Sequence, residues 1–322
     1  MTEKQPAGQA GEKGKHRMIL SVDVGGTAVK MGKMTRDGRI LGRREAPVNE
    51  DGYATPVLTS VMRAAEDFLQ EWQEAPEGVA VSATGQVDDR RGIVIGTNGS
   101  IPGYEGTDFR HAFTERFGVP VHVLNDANAA ALGEAFLGAG KGYQDLLMVT
   151  LGTGVGGGVI SGGRLVRGCR GIAGELGHFS IDRNGVPCSC GGRGCFERYA
   201  STTALLKMAA EADPSDPVKD GRDFFSRVRN GDGIQNAVLD RWLDCAALGL
   251  TGLIHIFNPE IVLIGGGVSA QEELLIRPLR EKVRKMLMPR FAENLRLEAA
   301  RLGNDAGMAG ALKFWLDQEE AK

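Results

Sequence analysis

The sequence predicts an α/β fold in which mixed sheets are flanked by helices, and three observations predict it. Strand-like and helix-like segments alternate along the chain. A layout of strand, glycine turn, strand, turn, strand occupies residues 18–45 and recurs at 145–167, which reads as an internal duplication. The 47 glycines cluster at 25–26, 152–158, 191–194 and 265–267 without a fixed period, so collagen is excluded. Clustered glycine brings backbone close to a ligand. At roughly 150 residues per domain, 322 residues make about two domains or one large one. Hydrophobic residues are 42% and charged residues 25%, an ordinary globular balance. The net charge of -3 gives no basic excess for a general nucleic-acid or membrane-surface role. No apolar run reaches the ~18 residues of a membrane span.

The elements follow in order. Residues 18–24 (MILSVDV) form a buried strand, and Gly25-Gly26-Thr27 turns the chain into a second strand at 28–34. Arg36-Asp37-Gly38 is a turn signal before a third strand at 39–45. Apolar residues recur at helical spacing over 57–72. Strands begin at 79–81 and run over 119–124, and an Ala-rich helix occupies 126–137. The second half opens with a strand at 145–151 and a glycine loop at 152–158, then short strands at 159–161 and 164–166. A long helix follows near 234–256, a strand at 260–264, the turn 265–267, a helix near 270–288, a strand at 295–302 and a final helix from about Asp305. Residues 212–233 read as a polar, Pro- and Gly-punctuated insertion. The first 17 residues are polar, lack the apolar core of a secretory signal, and read as a disordered lead.

Asp23-Val24-Gly25-Gly26-Thr27 lies between two strands. It is either a tight hairpin turn or an anion-binding turn, in which backbone N–H groups and the Thr27 hydroxyl approach a phosphate. Asp23, at the strand end, suits a metal ion held through water. The second glycine run contains Gly152-x-Gly154-x-x-Gly157, a match to the dinucleotide fingerprint. That fingerprint needs a helix next, whereas Val159-Ile160-Ser161-Gly162-Gly163 reads as strand and turn. No Gly-Lys pair precedes Ser or Thr, so a P-loop is absent. Two hairpin-borne phosphate loops, one from each half, fit better. Gly265-Gly266-Gly267-Val268-Ser269 is a third contact candidate, beside an adenine ring.

Cys188, Cys190 and Cys195 fall within eight residues of a glycine-rich loop. Zinc takes four soft ligands, and His178, ten residues upstream, is the natural fourth. The alternative is three free thiols. Four protein ligands leave no open position, so the site reads as structural. An RNA-binding zinc knuckle would need a basic-aromatic patch that these surroundings lack. Cys169 and Cys245 lie outside the cluster, as core or surface thiols. Asp126 follows a strand and opens a helix, so it is an N-cap or a base facing a cleft. Phosphorylating an alcohol needs a base on the hydroxyl, grips on the phosphates and a metal ion. Glu175 and Glu197 flank the metal loop, and carboxylates there suit the vicinal hydroxyls of a sugar, although either reads equally as a solvated charge.

Together these residues resemble the ROK family (repressors, open reading frames, kinases) of bacterial sugar kinases and regulators. The resemblance spans nearly the whole chain from Met18. Its most specific element is Glu175-x-Gly177-His178 followed by Cys188-x-Cys190-Gly191-x-x-Gly194-Cys195-x-Glu197. Asp23-x-Gly25-Gly26-Thr27, Asn125-Asp126-Ala127-Asn128 and Leu151-Gly152-Thr153-Gly154 add to it. The resemblance implies an actin-like ATPase (ribonuclease H-like) fold whose two lobes close over ATP and sugar. The lobes expected are 18–125 plus 305–322 and, carrying the zinc loop, 126–304. It implies Asp126 as general base, and Asn125, Glu175, His178 and Glu197 as sugar ligands, with His178 also on zinc. It places Gly25, Gly26, Thr27, Thr153 and Gly154 on the phosphates, while Gly266 and Gly267 remain the further nucleotide-contact candidate read from their glycine run. The cofactors implied are ATP, Mg2+ and structural Zn2+. Family members are commonly dimers or tetramers, and the polar start without a secretory signal reads as a cytoplasmic chain.

The implied activity is ATP-dependent phosphorylation of a hexose, with glucose leading. N-acetylmannosamine, another amino sugar, fructose or a β-glucoside are the alternative acceptors. Many family glucokinases carry Asn-Leu-Pro-Gly-Trp where this chain has Ser100-Ile101-Pro102-Gly103-Tyr104. The family Asn contacts the sugar; Ser100 is shorter, and Asn98 is the candidate replacement for that contact. A ROK-type transcriptional repressor is the reading from a different class. It needs a winged helix-turn-helix ahead of the kinase-like part, and 22 residues before Asp23 are too few.

Overall fold

The computed structural model describes residues 18–72, 75–97 and 99–322. The expected lead at 1–17 and Asn98 lie outside the described residues. In the first half, β1 (Ile19–Val24), β2 (Ala28–Met34) and β3 (Ile40–Pro47) form an antiparallel meander. Then come α1 (Val57–Gln70), β4 (Gly78–Ala83), a hairpin of β5 (Gln86–Asp88) and β6 (Ile93–Gly96), α2 (Phe109–Phe117), β7 (Val121–Asn125) and α3 (Asp126–Leu137). The second half opens with β8 (Leu146–Leu151), β9 (Val155–Ser161) and β10 (Arg164–Leu165). It continues through α4 (Glu197–Ala200), α5 (Thr202–Ala212), α6 (Gly221–Arg229), α7 (Gly233–Phe257) and β11 (Ile261–Gly265). It ends with a π-helical turn leading into α8 (Arg277–Met286), α9 (Pro289–Ala292), β12 (Leu297–Ala299) and α10 (Ala306–Glu320).

The two five-stranded sheets have the same plan. One runs β3-β2-β1-β4-β7 and the other β10-β9-β8-β11-β12. In each, the first three strands are antiparallel and the last three parallel. The duplication expected from the sequence therefore holds at the level of topology, where residue identity is weak.

Strand alternation decides which side chains reach the space between the sheets. On β1, Leu20, Val22 and Val24 join the core built with Val61, Phe68, Phe109 and Phe113 of α1 and α2. The other face turns to α10. Ile19 packs with Met308, Leu312 and Trp315, and Ser21 Oγ donates to Met308 O at 2.7 Å. Asp23 is next on that face. On β8, Leu147, Val149 and Leu151 join the core with α5, α7 and α8, whereas Leu146 and Met148 face Ala129, Ala131 and Leu132 of α3.

Helices α3 and α10 cross between the sheets. Helix α3 follows the last strand of the first sheet and packs on β8 and β9; α10 follows the last strand of the second and packs on β1, β4 and β7. A Cβ on Gly310 would lie 1.6 Å from Ala129 O, so the crossing needs glycine there. The buried Glu134 carboxylate ties the same junction, accepting from Ala139 N–H at 2.8 Å, Arg301 N–H at 2.8 Å and Leu302 N–H at 2.6 Å. Arg167 adds a clasp, its Nη2 donating to Asp89 Oδ1 at 2.8 Å while its guanidinium lies over Phe314.

Four expectations are corrected. The 212–233 segment is no bare insertion. It carries α6, capped by Asp220, and buries Phe224, Phe225 and Val228. The glycine run 152–158 is a turn only to Gly154; Gly156 to Gly158 belong to β9. A Cβ on Gly158 would lie 2.6 Å from Ala131 Cβ, so glycine lets α3 lie against the strand. The helix near 270–288 starts only at Glu272, with a π-helical turn to Ile276 before α8, and the strand at 295–302 shrinks to Leu297–Ala299. Among the described residues, no helix is long and apolar enough to cross a membrane.

Candidate active site

The carboxyl ends of β1, β7 and β8 and the amino ends of α3 and α10 surround one cavity of about 730 Å³. Asp23, Gly25, Gly26, Ser100, Asn125, Asp126, Thr153, Gly154, Glu175, His178, Cys190 and Glu197 all line it. Residues read from segments up to 174 positions apart in the sequence are thus brought together. Thr27, Gly266 and Gly267 are not among the lining residues. The turn at Gly266 is pressed instead against the Leu151 backbone.

Asp126 is the first residue of α3, and the N-cap is Asn125, not Asp126. Asn125 Oδ1 accepts from Asn128 N–H at 3.0 Å, while its Nδ2 donates to Gly85 O at 2.8 Å and to Asp126 Oδ1 at 2.9 Å. Asp126 Oδ1 also accepts from Ala127 N–H at 2.8 Å. These bonds fix the carboxylate and leave it facing the cavity. Burial pushes the Asp126 carboxyl up to about 6, and the Asp23 charge adds to this against the hydrogen bonds from Ala127, Thr84 and Asn125. Burial also raises Asp23, opposed by the bond that Ser82 Oγ donates to it at 2.6 Å and by the Lys30 charge.

Two residues were missed in the sequence. Lys30 lines the cavity and stands opposite Asp23 in the β1–β2 ladder. Only that register, which a sequence does not give, brings them face to face. Tyr104 is buried with its hydroxyl unpartnered among the described residues, and burial together with the Asp126 and Asp23 charges raises its phenol strongly.

The Cys-rich loop abuts the cavity. The candidate ligand atoms of His178, Cys188, Cys190 and Cys195 all lie within 4.8 Å of one another. Cys190 Sγ and Cys195 Sγ are 3.5 Å apart, and Cys188 Sγ is 3.7 Å from His178 Nδ1. Zinc–sulfur bonds of ~2.3 Å in a tetrahedron put sulfurs ~3.8 Å apart, so this donor set fits zinc. His178 Nε2 lies 4.0 Å from Glu175 Oε2, beyond a direct hydrogen bond. Backbone pairing carries the loop's geometry to the cavity. Ile181 N–H donates to Gly194 O at 2.9 Å, Phe196 N–H to Phe179 O at 2.9 Å, and Glu197 N–H to Gly177 O at 2.9 Å. Cys169 is exposed and Cys245 half-buried, both apart from the cluster.

The chain is similar to the glucokinase of Thermotoga maritima, with 38% identity over 91% of this chain and 95% of that one. It superposes on a ROK family glucokinase from Streptomyces griseus, determined in complex with glucose and AMPPNP, with a TM-score of 0.79 and 33% identity over 92% of this chain and 98% of that one. The ROK hexokinase of Thermus thermophilus gives a TM-score of 0.82 and 35% identity over 94% and 99% of the two chains. The paired sheets and crossing helices are the actin-like ATPase fold of these kinases. The ROK family pattern matches residues 19–318, and the chain belongs to the ROK family.

Proposed function

We propose that this protein is an ATP-dependent sugar kinase that phosphorylates glucose. One observation carries the reading: Asp126, both glycine turns and the Glu175–His178–Glu197 group meet in a single cavity. The glucokinase and hexokinase similarities support the same chemistry. In this reading Asp126 takes the proton of the sugar hydroxyl, and Asn125 holds it in place. Glu175, His178, Glu197, Asn125 and Ser100 receive the sugar. Gly25, Gly26, Thr153 and Gly154 receive the ATP phosphates, and Lys30 supplies a positive charge beside them. Burial raises both the Asp23 and Asp126 carboxyls, and the Asp23 charge raises Asp126 further, a donor set that suits a hard cation. Mg2+ held through water at Asp23 would neutralise the phosphates when bound. Zinc on His178, Cys188, Cys190 and Cys195 is structural. The lobes are 18–125 with 305–322, and 126–304; a homodimer or homotetramer follows the family pattern, and its place is the cytoplasm.

A coupled assay of ADP release over a sugar panel tests the reading. Glucose is expected to stimulate ATP consumption, and deoxy sugars lacking a contacted hydroxyl should be poor, because a buried group left unpaired discriminates strongly. Ser100→Asn, which restores the family amide, should raise kcat/KM for glucose. Good turnover of an N-acetylated or β-linked sugar with none of glucose would keep the kinase and replace its acceptor. No stimulation by any sugar would remove the enzyme reading.

The pH profile is a separate check. Asp126 works as a base only when ionised, and its carboxyl is raised to about 6. The rate is therefore held above that pH and lost as pH falls through it. The expected profile of kcat/KM falls about tenfold per unit below its bend. A rate flat down to about pH 4.5 would assign the proton to another group.

A further inference from the structure

One contact joins the two ends of the cavity. Glu197 opens α4, and its Oε2 accepts from the Val155 N–H at 3.0 Å. Val155 begins β9, so this donor belongs to the rim of the turn given above to the ATP phosphates. The approach is tight: a Cβ on Gly154 would lie 2.4 Å from the same oxygen. The carbonyl side of the turn is held by the start of α5. Thr202 N–H donates to Gly152 O at 2.7 Å, and Thr203 Oγ1 donates to Thr153 O at 2.7 Å. The turn is thus clamped on its carbonyl side while a carboxylate covers its N–H side. That is electrostatically adverse for a phosphate, because it occupies a donor and places negative charge where an anion is to bind. Glu197 also lines the cavity with Glu175 and His178, where sugar hydroxyls would compete for its oxygens.

We infer that Glu197, besides receiving the sugar, keeps the phosphate turn poor at binding nucleotide until a sugar draws its carboxylate away. The inference rests on the proposed sugar-kinase reading. Hydroxyls donating to Glu197 release the Val155 N–H and remove a negative charge from the turn. Sugar then tightens nucleotide, and nucleotide tightens sugar by the same factor.

Calorimetric titration of the full chain with AMPPNP tests it. Sugar-free Glu197→Ala is expected to bind AMPPNP at least about fivefold tighter than wild type, the low end of coupling between sites. Saturating acceptor sugar should tighten wild type by a similar factor. Glu197→Gln, whose amide oxygen still accepts the Val155 N–H without the charge, should fall between. If Glu197 only held the fold, its loss would loosen the turn and weaken AMPPNP, the opposite sign. Equal or weaker AMPPNP binding by folded Glu197→Ala overturns the inference. Should that variant not fold, Glu197→Gln decides, and no gain in affinity overturns it. Failure of the underlying reading looks different, as wild type would then show no sugar-stimulated ATP consumption at all.

Discussion

Asp126→Asn is expected to lower phosphoryl transfer by about 10²–10⁴-fold while sugar affinity stays within about threefold of wild type. The amide keeps the shape and still accepts the Ala127 N–H that bonds Asp126 Oδ1 at 2.8 Å, but it cannot take a hydroxyl proton. Stability gives a second readout with a defined sign. The native Asp126 carboxyl is raised from 3.8 to about 6, so the folded protein holds the proton more tightly than the unfolded chain. Ionisation at neutral pH therefore costs stability, fully above the folded value and not at all below 3.8. Removing the charge should stabilise the fold at pH 8 by about 1–3 kcal/mol, and the gain should vanish near pH 4. Thermal melts at both pH values, beside single-turnover kinetics, separate this from simple damage. Damage lowers activity and melting temperature together. Turnover within about threefold of wild type would remove Asp126 from the base role.

What the sequence discloses is what is local. Helix α3 was legible with its bounds because an Ala-rich run lies between a strand and Gly138. The Cys/His cluster was legible because three of its members fall within eight residues, at spacings that suit chelation. Helix α6 was hidden because its charged residues outweigh the three apolar ones that it buries. Asn125 and Asp126 are both good caps by type, and the end of β7 decides that Asn125 is the one. Contacts set by register or by two segments meeting leave no local trace. Lys30 against Asp23, Glu134 on the Arg301 and Leu302 N–H groups, and Glu197 on Val155 are all of this kind.

Removing the zinc proposed for the Cys-rich loop is the second large perturbation. One zinc per chain is expected by elemental analysis, and Cys190→Ser with Cys195→Ser should abolish it. Two lines of contact would then fail together. His178 would lose its tie to Cys188, 3.7 Å away, and the ring's orientation beside Glu175 with it. The pairing of 177–181 with 194–197 would lose the cross-link that closes it, although its backbone bonds, such as Glu197 N–H to Gly177 O at 2.9 Å, are individually worth only ~1 kcal/mol. Metal binding in such loops is folding free energy, so the loop should open locally while both sheets stay folded. Sugar KM should rise by about 10–100-fold, the usual cost of disturbing a metal site's supporting shell. Hydrogen exchange should speed up over 177–197 and remain slow in β1 and β8, whose residues are almost entirely buried. Replacing the outlying Cys169 and Cys245 is the control, expected to leave zinc content and KM unchanged. Zinc retained by the double serine variant would reject the ligand set. Full sugar affinity in the zinc-free protein would reject the idea that the loop positions Glu175, His178 and Glu197, whatever the metal content proved to be.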